Sequence, residues 1–313
     1  MKIILTTVFV FFISFSFAQK KEVYYDYNWK ECDVSAARYF SLTEPADSLW
    51  KRQDFFIREK KLQMLGFYKD KACKIKNGSF EYYYSNGKLQ SAGLYINNKK
   101  QGLWLRYHNN GMMSDSTLYE NDVPVGTGLS WHSNGLMSDS NVYNAAGKSI
   151  RVSWFDNGQP SFAGIILNNK EFGKWRFYHK NGKLSAEEIY ENGKLLSRSY
   201  YAEDGNSIDD TTNRDREAEC TENWQEYLSK NLYFPPNMKI INSDKATVVV
   251  SFTVNEDGTI EDAFIYSPIH PLLDEIALNT VKNSPPWKPA IDHNRRIKAY
   301  RRQPLTFLQP VTE

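Results

Sequence analysis

The sequence predicts two modules. The first is a mainly β repeat array of stacked antiparallel hairpins. The second is a smaller α+β domain, with a small antiparallel sheet and helices on one face. Three observations carry this. Asn-Gly recurs at Asn86-Gly87, Asn110-Gly111, Asn134-Gly135, Asn157-Gly158 and Asn181-Gly182, in steps of 24, 24, 23 and 24 residues. A period of that length marks a supersecondary unit that buries its apolar face only by stacking on its neighbours. Aromatic residues make up 15% of the 313-residue chain, a bias that suits half-buried pleated surfaces. After about residue 203 the beat stops, and helical and alternating patterns take its place.

The chain opens with Lys2, an apolar run from Ile3 to Phe17, and Ser16-Phe17-Ala18 before Gln19. A small residue at both key positions is the signal-peptidase pattern, so residues 1–18 read as a cleaved export signal. The run falls short of the ~20 residues that cross a bilayer comfortably. A retained membrane anchor is the alternative. Residues 19–49 form a lead-in. Cys32, Cys73 and Cys220 remain in the exported chain. An odd count leaves at least one thiol free or paired between chains; Cys32 with Cys73 is one open pairing and three free thiols another.

The array is assigned to residues 50–203. Counted from each turn glycine, four positions back stand Tyr83, Tyr107, Trp131, Trp154 and Tyr178, and seven back stand Phe80, Trp104, Gly128, Arg151 and Trp175. Nine back the glycine recurs as Gly78, Gly102, Gly126 and Gly173, with Ser149 as the exception. Leu103 to Tyr107 reads as a strand, and Asn-Gly supplies the positive φ angles of a tight two-residue turn. The aromatic columns, with Tyr83, Trp104, Tyr107, Trp131, Trp154, Trp175 and Tyr178, are the expected spine between units, each ring touching its equivalent in the next. Trp50, Phe55 to Ile57 and Leu65 to Tyr68 read as a degraded first unit, because terminal repeats cap an array. His108, His132 and His179 share a column three before the glycine, with Tyr84 and Phe155 in the other units. Aromatic residues at the same place argue for packing rather than a metal site.

These columns resemble MORN-type repeats and the bacterial YwqK-like antitoxin repeat family. The residues that carry the likeness are Gly102, Trp104, Tyr107 and Asn110-Gly111, then Gly173, Trp175, Tyr178 and Asn181-Gly182. The resemblance implies an elongated antiparallel sheet that makes protein–protein contact.

Residues 204–216 are polar and read as a linker. In the C-terminal domain, residues 217–313, Glu222 to Asn231 is a short helix that presents Trp224, Tyr227, Leu228 and Leu232. Ala246 to Val254 alternates as a strand, Asn255 to Gly258 turns, and Thr259 to Ser267 returns. Leu272 to Lys282 is a second helix with Leu273, Ile276, Ala277 and Val281 inward. Pro285 to Ala290 is a rigid link, and the last strand runs over Lys298 to Leu308.

This segment resembles the C-terminal domain of TonB, the energy transducer of Gram-negative outer-membrane transport. Tyr233-Phe234-Pro235, Val250 to Val254 with Asp257-Gly258, Pro271 to Asp274, Trp287-Lys288-Pro289-Ala290 and Pro304 to Phe307 carry the likeness. It implies a three-stranded sheet working in the periplasm and pairing with an extended peptide of an outer-membrane or envelope protein. The expected peptide-binding edge holds Lys298, Tyr300, Arg301, Arg302, Pro304 and Thr306. Arg295 and Arg296 extend that basic cluster, which an acidic partner or an anionic membrane surface could meet; a solvated edge guarded by charge is the alternative.

The functional expectation is an exported periplasmic or envelope binding protein that captures an extended peptide by strand addition, with the array as scaffold. A membrane-anchored energy transducer and a structural envelope protein binding glycan or lipid through the array are the alternatives. Net charge is only +2, which removes the basic footprint nucleic acid requires. There is no Gly-x-Ser-x-Gly elbow, phosphate loop or His-Glu-x-x-His, so neither an enzyme nor a cofactor is expected.

Overall fold

The computed structural model describes residues 21–144, 147–240 and 244–310. The export signal assigned to residues 1–18 lies outside them.

The repeats form one antiparallel meander in which every strand pairs with its sequence neighbours. It begins with β1 (Lys21–Tyr25), β2 (Tyr39–Ala46), β3 (Leu49–Phe56) and β4 (Lys61–Tyr68). The Asn-Gly region supplies β5 (Lys76–Tyr83), β6 (Leu89–Ile96), β7 (Lys99–Tyr107), β8 (Met113–Glu120), β9 (Val123–Trp131) and β10 (Met137–Tyr143). It continues through β11 (Lys148–Trp154), β12 (Pro160–Leu167), β13 (Lys170–Tyr178), β14 (Leu184–Glu191) and β15 (Lys194–Tyr201), and closes on β16 (Ser207–Ile208). The sheet therefore reaches further toward both ends than the Asn-Gly beat.

The Asn-Gly turns differ from the two-residue turns expected. Only their glycines have positive φ, from +81° to +89°, and the asparagines do not. Tyr84 N–H donates to Lys88 O and Gly87 N–H to Tyr84 O, which is a type I turn followed by a left-handed glycine. Asn86 accepts from the Lys88 N–H through Oδ1 and donates through Nδ2 to Asn109 O of the next unit. Asn110, Asn134, Asn157 and Asn181 repeat both bonds, so the turns form a ladder along one edge. The two-residue turns lie on the opposite edge, where Asn97-Asn98, Asn121-Asp122 and Asn168-Asn169 all have positive φ.

One face of the sheet, here the inner face, is locked by rings. Trp104 and Trp175 lie over Gly93 and Gly164 of the preceding strand, where an added Cβ would sit 2.2 Å and 2.0 Å from the indole. Their Nε1 atoms donate to Leu94 O and Ile165 O, and both indoles are buried. Ring contacts run through Phe80, Tyr95 and Trp104, and again through Phe162, Trp175 and Phe177. Tyr83, Tyr107, Trp131, Trp154 and Tyr178 are half-buried and belong to the other, outer face, as the cross-strand partners show.

The C-terminal unit adds β17 (Glu219–Cys220), α1 (Trp224–Asn231), β18 (Lys245–Val254), β19 (Ile260–Ser267), α2 (Pro271–Lys282), β20 (Trp287–Lys288), β21 (Ala290–Asp292), β22 (Arg295–Ile297) and β23 (Ala299–Leu308). Asn223 caps α1 by accepting from the Gln225 and Glu226 N–H groups, and Pro271 opens α2 behind the His270 cap. The strand order is β19-β18-β23. Val248, Val250, Phe252 and Val254 point into a core with Leu273, Ala277, Val281, Leu305 and Phe307. Each buried aliphatic side chain contributes about 1.5–3 kcal/mol. The β21–β22 hairpin has no counterpart in the sequence reading, which assigned no element between Ala290 and Lys298. Cys32, Cys73 and Cys220 are free.

Candidate functional site

Strand β23 pairs with β18 over all ten residues without a bulge, from Lys245↔Leu308 to Val254↔Ala299. Which backbone groups face outward follows from two residues. Gln309 N–H donates to Asp244 O, so the odd-numbered residues point toward β18. Pro304 has no N–H and falls in the even set, where none is needed. Its carbonyl takes a bond from its neighbour Gln303 Nε2 at 3.1 Å. Tyr300, Arg302, Thr306 and Leu308 therefore turn both N–H and C=O away from the sheet, and Pro304 turns its C=O. Among the described residues no backbone hydrogen bond reaches that side of β23. It is an open β edge.

The other edge of the small sheet is occupied. Ser85 Oγ donates to Ile265 O at 3.2 Å, Ser133 Oγ to Asp262 at 2.9 Å, and Tyr84 meets Phe264 edge-to-face. The turn ladder of the array thus lies along β19 and leaves β23 free. A groove of about 350 Å³ runs between the two modules, with Tyr300, Arg302, Ser251, Thr253, His108 and Asn109 in its walls.

The six residues expected at the edge divide. Tyr300, Arg302, Pro304 and Thr306 share the exposed row, with Tyr300 73% exposed. Arg302 lies 4.0 Å over the Tyr266 ring. Lys298 and Arg301 turn elsewhere. Lys298 Nζ reaches Asp156 of the array at 2.8 Å and also Glu261. Burial alone would lower its pKa, but the two carboxylates outweigh that and raise it. Arg301 donates to Ala218 O. The basic cluster is therefore dispersed. Arg295 is buried against Phe162 and Phe177 and donates to Ser161 O, with its pKa pushed down to about 10 by that burial. Arg296 stays exposed.

A second region joins the modules and escaped the sequence reading. The tip of the β21–β22 hairpin, His293-Asn294, plugs into β12 to β15. The imidazole stacks on Phe177 with centroids 3.7 Å apart, and Nδ1 lies 2.9 Å from the fully buried Glu188. Arg198 and Tyr190 hold the same carboxylate. Burial would raise Glu188, but these partners, His293 first, bring its pKa below the usual range. Asn294 donates to Ser185 O and Tyr201 O. At the far end of the array Arg58 pairs with Asp274, and Tyr39 donates to Ser267. In a flat sheet thirteen steps of ~4.8 Å would separate β2 from β15 by about 62 Å. Both touch one small unit of roughly 30 Å diameter, so the sheet curves around it.

The histidine column is structural. His108, His132 and His179 bond Trp131 O, Trp154 O and Tyr201 O through Nε2 at 2.7, 2.9 and 2.9 Å, and Tyr84 makes the same bond to Tyr107 O. No cluster of three metal-ligating side chains occurs among the described residues, and no described helix is long and apolar enough to cross a membrane.

Residues 231–308 match the family model of the Gram-negative bacterial TonB protein C-terminal region. Residues 76–97 and 173–192 match that of a MORN repeat variant. The chain thus joins a MORN-variant repeat region to a TonB C-terminal-like unit. No curated protein matches the chain. Both matched families are non-catalytic scaffolds, and the architecture is that of a protein-interaction module of the cell envelope.

Proposed function

We propose that this chain is an exported envelope protein of a Gram-negative bacterium that captures an extended peptide segment of an outer-membrane or envelope partner along β23. The observation that carries the reading is the asymmetry of the small sheet. Its β19 edge lies against the array, while β23 offers N–H and C=O groups from Tyr300, Arg302, Thr306 and Leu308 with no partner. A guest strand would complete those bonds and become the fourth strand, as in strand-addition recognition generally. Pro304 supplies no donor, so the guest ladder breaks there into two short runs. The array holds the small unit by ion pairs and the His293 plug, and so acts as scaffold.

The test is calorimetric titration of the full chain with synthetic N-terminal segments of outer-membrane receptors. Saturable binding is expected, and Thr306→Pro should weaken it about tenfold or more by removing one outward donor and crowding the guest. Unchanged affinity in a folded Thr306→Pro variant would move the site away from β23.

A further inference from the structure

The array holds a second recognition surface that strand addition does not use. Its inner face lies on the inside of the curve, because the C-terminal unit meets that face near both ends, at Tyr39 and at Phe177. Between those ends, toward the edge of two-residue turns, one row of side chains crosses β5 to β10. In chain order it holds Lys76, Tyr95, Lys100, Tyr119, Pro124 and Tyr143. Lys76 Nζ sits 4.7 Å from the Tyr95 ring centre, and Lys100 Nζ 4.8 Å from that of Tyr119 and 4.9 Å from that of Trp104. Rings attract these cations through their quadrupoles but do not neutralise them. Among the described residues neither ammonium has a carboxylate partner, and neither does the exposed guanidinium of Arg106 on the same face. Burial lowers the pKa of Lys76 and of Lys100, and repulsion from Lys100 and from Arg106, respectively, adds to it. The nearby Asp115 is engaged by the Thr117 and Ser130 hydroxyls. This stretch of the face is short of negative charge.

We propose that this trough binds an extended acidic polysaccharide, in which an acidic sugar alternates with a neutral one. Charge selects an anion, since Lys76, Lys100 and Arg106 have no partner of their own. Pitch selects a chain of rings. Tyr95, Tyr119 and Tyr143 recur every second strand, about 9.6 Å apart, which is close to the length of a disaccharide, and the two lysines stand at the same interval. Sugar faces would lie on the rings and sugar carboxylates on the cations. The hydroxyls of the three tyrosines and the amide of Asn141 have no hydrogen-bond partner among the described residues, so they are free to bond sugar hydroxyls. Every strand of the row pairs on both sides, so a peptide finds no open backbone groups there. A bilayer is too flat to enter the inside of the curve, whereas a polymer chain threads it. Five steps of ~4.8 Å make the row about 24 Å long, room for a short oligosaccharide.

Isothermal titration of the full chain with a hexasaccharide of alternating glucuronate and N-acetylglucosamine tests this. Saturable binding that weakens with added salt is expected. Lys100→Gln and Tyr119→Ala should each weaken it about tenfold or more. Arg106→Gln, at an exposed site where folding is not at stake, should weaken it as well. Leu103→Ser on the outer face and Thr306→Pro on β23 should leave it unchanged, which separates this site from peptide capture. A neutral hexasaccharide of N-acetylglucosamine should bind at least about tenfold more weakly. Absence of saturable binding by the acidic hexasaccharide overturns the proposal. So does binding indifferent to the Lys100, Tyr119 and Arg106 variants. Equal affinity for polyglutamate or for a single-stranded oligonucleotide also overturns it, because the face would then read charge and not sugar.

Discussion

Single residues set the array through what they omit. Gly164 exists because an indole occupies the space its side chain would fill. Gly164→Ala is expected to destabilise the chain by about 1–3 kcal/mol, the range for overpacking a tight site, and to lower its melting temperature. Ala at the exposed, open Gly158 would instead report the cost of positive φ alone, since no atom lies within 4 Å of its added Cβ. Asp156 carries a pH-dependent part of the docking. Burial would raise its carboxyl, yet Lys180 and Lys298 hold it at about 2 against an ordinary 3.8. A carboxylate depressed in the folded state stabilises above its unfolded pKa and loses that contribution as pH falls through the folded one. Wild type should therefore melt above Asp156→Asn at neutral pH, and the gap should close between pH of about 4 and about 2. A gap that persists to the lowest pH would rule the ion pairs out as its source.

Elements differ in what one proline does to them. On β23 the even residues face outward and the odd ones face β18. Thr306→Pro should leave the unit folded, whereas Leu305→Pro removes a ladder bond and a buried side chain and should unfold it. Far-ultraviolet circular dichroism with a melting curve separates the two, and equal damage from both would refute the assignment of the open side. The turns carry a related lesson. Asn-Gly was legible as a turn, but its φ angles were not, because a left-handed glycine after a type I turn and a two-residue turn draw on the same residues. The second function of Asn86 and its equivalents, bridging to the next unit, becomes visible only when the units stack.

For the whole molecule, the docking contacts decide whether two modules behave as one. His293→Ala combined with Arg295→Ala removes the ring stack on Phe177 and the bond to Ser161 O. Each module should keep its secondary structure, while the radius of gyration from small-angle scattering should rise and residues 209–215 should become readily cleaved by protease. A double variant with unchanged scattering would show that the ion pairs at Arg58 and Lys298 suffice. Nothing in the local pattern marked His293 for this role. It stands on a short hairpin between Ala290 and Ile297, and its partners Glu188 and Phe177 lie more than a hundred residues earlier.

The repeat period, the aromatic columns and the helix–hairpin–helix–strand order are local and periodic, so both architectures were legible along the chain before it folded. It marked β23 as well, because alternation and Pro304 are properties of one strand. Where the small sheet sits on the array is another matter. That placement covers β19, scatters Lys298 and Arg295 from the expected basic cluster into the interface, and leaves β23 open. It depends on pairs such as Lys298 with Asp156 and His293 with Glu188, far apart along the chain. A single sequence carries no signal for which distant side chains meet, so the placement emerges only when the chain has folded.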